Sequence, residues 1–185
     1  MRIRLDINAF ALGLLLALAW SLPASAEFMF DPKKTALSDV QYEEVVSGDK
    51  EAATVLFENF TVELAAHSPA VQSRAVSFVL ATKGEGDPAN LAVTLRGSIG
   101  LEEGTSAVVL VRLPGLTEVF QPAESETSGF EQTYKVAVKP GSDIPVTVFL
   151  MLERSSGDGQ ALMTLSSVDI GIPVPETAPA KPDCN

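Results

Sequence analysis

The sequence predicts an all-β protein, an antiparallel β-sandwich of jelly-roll or immunoglobulin-like order with at most one short N-terminal helix. Two observations carry the prediction. Several runs in residues 53–172 alternate apolar and polar side chains with a period of two. That period sets one side of an extended strand on a core and the other in water. Between the runs lie KGEGDPAN, LEEGTS, KPGSDIP and SSGDGQ, whose Gly, Pro, Asp, Asn and Ser reverse the chain by accepting positive φ, fixing φ or bonding their own backbone. Short strands at that spacing argue for antiparallel pairing and against a parallel sheet with crossover helices.

Residues 1–26 read as a signal peptide. Arg2 and Arg4 precede the apolar run AFALGLLLALAW, and SLPASA ends in a small-x-small site, so cleavage is expected after Ala26. The apolar run falls short of the about 20 residues that span a bilayer. No cysteine near the site offers a lipid attachment point, and the far end of the chain is polar. The expected destination is the periplasm or the medium of a bacterial cell, without membrane insertion. Residues 27–52 form an N-terminal extension. Within it Ser38-Asp-Val-Gln41 reads as a capping box opening a short helix through Val46 that stops at Gly48. VQYEEVV reads equally as an edge strand.

Residues 53–172 hold the sandwich. Upstream lies the strand NFTVEL. In AVSFVLAT (75–82) Val76, Phe78 and Leu80 point inward, and in LAVTLRG (91–97) Leu91, Val93 and Leu95 do. The cleanest alternation is FEQTYKVAV (130–138), where Phe130, Gln132, Tyr134, Val136 and Val138 share one side. SAVVLVRL, VTVFLML and ALMTLSSVDI are more continuously apolar, as expected near the middle of a packed sheet. Pro145 heads VTVFLML, where no ladder donor is lost. Residues 173–185, PVPETAPAKPDCN, carry four prolines and almost nothing to bury, so an extended, mobile tail is expected.

Removing residues 1–26, with Arg2, Arg4 and Asp6, leaves 159 residues bearing 11 basic and 23 acidic side chains, a formal charge of −12. That sign repels nucleic acid and anionic membrane surfaces. Cys184 is the one cysteine, so no intrachain disulfide forms and a core alone must hold the domain.

Reactive side chains are scarce. His67 is the one histidine. Its neighbour Ser68 is not a triad partner, because adjacent strand residues point to opposite faces. Pro69 places His67 in a loop. Ser47-Gly-Asp-Lys50 matches S-x-x-K, but Gly48 and Asp49 make a solvated turn of it. One histidine and one terminal cysteine cannot build a zinc or copper cage. Glu85, Asp87 and Asn90, or Asp158, are calcium-type oxygen donors, yet their loops lack the spacing that wraps an ion. Trp20, the one tryptophan, leaves with the signal peptide, so flat aromatic platforms for sugars are short too. Asn59-Phe-Thr61 matches a glycosylation sequon, read as coincidence inside a strand. Cys184, on the tail, is the candidate for a free thiol or a disulfide-linked dimer.

The run LAVTLRGSIGLEEGTSAVVLVRLPG (91–115), with FENFTVEL upstream and SGFEQTYKV downstream, resembles a family of small exported β-sandwich proteins of unknown function found in fungi and bacteria. Arg96, Gly97, Leu101 and Gly104 carry the likeness. The chain lacks that family's internal cysteines. The resemblance implies fold and export, and no activity.

The function expected from these residues is an exported, non-catalytic sandwich acting as a protein-interaction, structural or assembly module. It needs no cofactor, and another protein is the expected partner. The competing readings are a hydrolase using two carboxylates from different strands and a small-ligand or calcium-binding module.

Overall fold

The computed structural model describes residues 28–37, 40–122 and 127–173. The signal-peptide reading, the Ser38-Asp39 half of the capping box, nearly all of the Pro-rich tail and Cys184 lie outside them. Ten strands follow one another: β1 Met29–Leu37, β2 Tyr42–Val46, β3 Ala52–Leu64, β4 Val71–Lys83, β5 Ala89–Leu101, β6 Thr105–Leu113, β7 Leu116–Phe120, β8 Thr127–Val138, β9 Ile144–Arg154 and β10 Ala161–Gly171. No helix occurs among the described residues.

The strands form two five-stranded sheets, ordered β1-β4-β9-β6-β7 and β2-β3-β10-β5-β8; each is named here by its central strand. Every pairing is antiparallel. Apart from the β2–β3 and β6–β7 hairpins, each strand passes to the opposite sheet. Strands β3 to β10 thus set a β3-β10-β5-β8 sheet over a β4-β9-β6-β7 sheet, which is jelly-roll winding and excludes the immunoglobulin-like alternative. The N-terminal strands β1 and β2 then add one edge to each sheet.

The continuously apolar runs lie where a central place was expected. VTVFLML belongs to β9 and ALMTLSSVDI to β10, the middle strands, and SAVVLVRL to β6, beside β9. Their inward side chains make the core: Ile144, Val146, Val148, Leu150 and Leu152 face Met163, Leu165, Val168 and Ile170, all at most 1% exposed. Burying each such side chain contributes roughly 1.5–3 kcal/mol of transfer free energy. Tight turns join the strands, with Gly104, Gly115, Gly141 and Gly157 at positive φ.

The helix option for Val40 to Val46 is corrected. Residues 42–46 are β2, paired with Phe57 through Ala53 of β3, and exposure alternates along it as a half-buried edge requires. Tertiary pairing decides the matter: the free edge of β3 offers ladder partners that an isolated five-residue helix could not replace. Residues before 53 also supply a strand to each sheet, β1 to one and β2 to the other. Phe28 and Phe30 are 3% and 1% exposed and meet edge to face at 5.3 Å, sealing one side of the core.

A bulge shapes the β10 sheet. The register steps from Leu165↔Phe60 to Ser167↔Leu56 on β3, and from Leu165↔Gly97 to Ser167↔Arg96 on β5. The extra residues switch the alternation, so Phe57 and Phe60 both face inward. There β10 crowds β5: a Cβ on Gly97 would lie 2.2 Å from the Thr164 carbonyl oxygen and 2.5 Å from the Phe130 ring. Only glycine fits.

Candidate interaction face

Among the described residues no third layer covers the outward positions of either sheet, so their chemistry is free to serve function. On the β9 sheet these positions form cross-strand rows. One row is Ser73–Met151–Val108 and the next is Ala75–Phe149–Leu110–Val119. A third is Ser77–Thr147–Arg112–Thr117. Phe149, Met151, Val108 and Leu110 shelter one another and are half-buried, while Val71 and Val119 at the margins are 49% and 55% exposed. Aromatic and β-branched neighbours across strands stabilise the sheet by about 0.2–1 kcal/mol a pair.

Charge is nearly absent from this face. Across the three rows Arg112 is the one ionisable side chain, exposed and without an ion pair among the described residues. The nearest outward acid is Glu153, one row beyond Met151 on β9. Four strands about 4.8 Å apart and some six residues of about 3.4 Å rise give a patch on the order of 400 Å². Patches of about that size are often functional.

The β10 sheet turns a different surface outward. Its rows are Thr54–Asp169–Thr94–Thr133 and Leu56–Ser167–Arg96–Glu131. Arg96 links two carboxylates, bonding Glu131 at 3.0 Å through Nε and Asp169 through Nη1. The hydroxyl of Thr54 donates to the other Asp169 oxygen at 2.7 Å. The Glu131 hydrogen bond and the Asp169 charge push the Arg96 guanidinium further above its already high ordinary value. A shallow groove of about 390 Å³ runs past Thr54, Thr94, Arg96 and Asp169. Here two carboxylates do converge, yet both are engaged by one guanidinium on an open sheet, as a crosslink over β8, β5, β10 and β3.

The residues singled out from sequence fall as follows. His67 is exposed in the β3–β4 turn. Ser68 beside it donates to the Ala65 carbonyl at 2.8 Å, and Arg154 donates to the Ala65 and Ala66 carbonyls of that turn and to the Gly159 carbonyl of the β9–β10 turn. Ser47 and Lys50 close the β2–β3 hairpin. Ser47 donates to Asp49, and that bond, with a second from the Glu51 amide, holds the Asp49 carboxyl below its usual range. Glu85, Asp87, Asn90 and Asp158 are exposed. Among the described residues no three His, Cys, Asp or Glu side chains gather as a metal site. Tyr134 is half-buried on the inward side; burial first, then the Glu118 charge, pushes its hydroxyl up. Asn59 lies exposed within the β3 bulge.

What the sequence reading missed is the face itself. The signal was present: VTVFLML and SAVVLVRL are apolar at both parities, and in a sandwich one parity must point outward.

No protein-family model and no curated protein matches the sequence. Among solved structures, similarity is seen to a CBM36 domain of a multidomain xylanase from the hindgut metagenome of Trinervitermes trinervoides, at 11% identity over 80% of this chain and 97% of that one, TM-score 0.32. A family 35 carbohydrate binding module from Clostridium thermocellum matches at 10% identity over 80% and 100%, TM-score 0.32. A chain of infectious bursal disease virus matches at 11% over 76% and 38%, TM-score 0.34. Likeness at this level concerns fold alone.

Proposed function

We propose that the mature chain is an exported, non-catalytic jelly-roll module that docks a protein on the outer face of its β9 sheet. One observation carries the reading: a chain of strongly negative formal charge keeps a face of Phe149, Met151, Leu110 and Val108 clear of acidic side chains. Exposing such side chains together serves neither solubility nor the core, and desolvating them is the main favourable term in association. The export element rests on residues 1–26 and implies a mature chain beginning at Glu27, which intact mass of the extracted protein measures.

The test compares baits against the exported fraction. Phe149→Lys with Val108→Lys is expected to lose the proteins that wild type retains, while Thr133→Lys on the opposite face keeps them. Equal retention by all three baits would overturn the reading.

A further inference from the structure

We propose that the occupant of this face is a second copy of the chain, packed face to face about a two-fold axis; the inference rests on the docking reading above. The placement of charge on the face points to it. Arg112 lies one row to one side of Phe149, and Glu153 lies two rows to the other. Consider an axis parallel to the sheet and about 5 Å above its outer face, running across the strands midway between the Phe149 and Met151 rows. It sets Phe149 over the second copy's Met151 and Leu110 over its Val108. It also sets Arg112 over Ser106, one strand spacing from Glu153, which at about 4.8 Å is within reach of a long guanidinium.

The operation applies twice, so the only cation of the three rows and the nearest outward acid are both paired. Such self-complementarity is what an isologous interface requires. Elsewhere on the molecule, two chains of formal charge −12 repel. The patch with the Glu153 row added, doubled, buries on the order of 1,000 Å², below the about 1,200 Å² of a standard stable interface, so the dimer is a reversible one.

The experiment is sedimentation velocity on the mature chain carrying Cys184→Ser in reducing buffer, which removes any covalent bridge. Arg112→Glu and Glu153→Arg are each expected to weaken the dimer about tenfold or more, and the double exchange to restore it, because like charges then face opposite ones again. Thermal melts of each variant at monomeric dilution establish that the fold persists. Singles that weaken without recovery in the double would overturn the pairing. A dimer insensitive to Phe149→Lys would overturn the placement of the seam on this face, and a monomer at every concentration would overturn self-pairing. A monomer whose capture of other proteins still depends on Phe149 removes self-pairing and leaves the docking reading standing; a monomer without such capture removes both.

Discussion

The two broad faces of this sandwich are built by the same alternation and end up opposite in kind. The β10 sheet turns Thr54, Thr94, Thr133, Arg96, Asp169 and Glu131 to solvent, tied by hydrogen bonds from strand to strand. The β9 sheet turns out Phe149, Met151, Leu110 and Val108. The first is mainly a polar surface whose groups bond one another across strands, with Val45, Leu56 and Leu162 exposed among them. The second leaves apolar area in water and gains by being covered. Both sheets contribute inward side chains to one buried core, so the difference lies in the outward positions alone.

The comparison breaks first at adjacent residues of β9. Leu150 is fully buried and Phe149 points outward. Leu150→Ala is expected to cost about 2–5 kcal/mol by denaturant unfolding, the range for core truncations. Phe149→Ala, losing only cross-strand contacts, is expected to cost under about 1 kcal/mol. Similar losses would mean that Phe149 belongs to the interior.

A smaller effect tests the β10 sheet. Gly97→Ala pushes a methyl group against the Thr164 carbonyl, a backbone atom that cannot swing aside. Overpacking of this sort costs about 1–3 kcal/mol. An unchanged melting temperature would show that the bulge yields and that the two sheets differ less in rigidity than their contacts imply.

The smallest effect concerns Tyr134, at the side where β7 and β8 approach across the sandwich. Its hydroxyl titrates above the ordinary value of about 10, chiefly from burial and then from Glu118. A raised folded pKa means the folded state holds the proton more tightly. The associated stability is therefore complete below the unfolded value and is lost as pH rises through the folded one. Glu118→Gln should shift an ultraviolet phenolate titration toward lower pH by the lesser part of the difference. No movement would remove Glu118 from the account.

Much of the fold was legible beforehand. Val76, Phe78, Leu80, Leu91, Val93, Leu95, Phe130, Val136 and Val138 all face inward as their alternation requires. The SSGDGQ, LEEGTS and KPGSDIP turns fall between strands. β1 was not legible, because Pro32, Lys33 and Lys34 mask a strand pattern in the sequence. The bulge at Ser166 was hidden too, since SSVDI gives no local sign of a shifted register. The face was half legible: apolar runs announced central strands, without saying which side the surplus apolar residues would occupy.

By itself the sequence determined the β class, the inward set of each clear strand, the turns and the acidic charge, because each is encoded in a handful of neighbouring residues. Tertiary structure alone decided that β9 lies between β4 and β6, so that Val108, Leu110, Phe149 and Met151, from distant segments, become neighbours on one outer face. Strand pairing is a non-local closure, and no local pattern carries the identity of a partner tens of residues away.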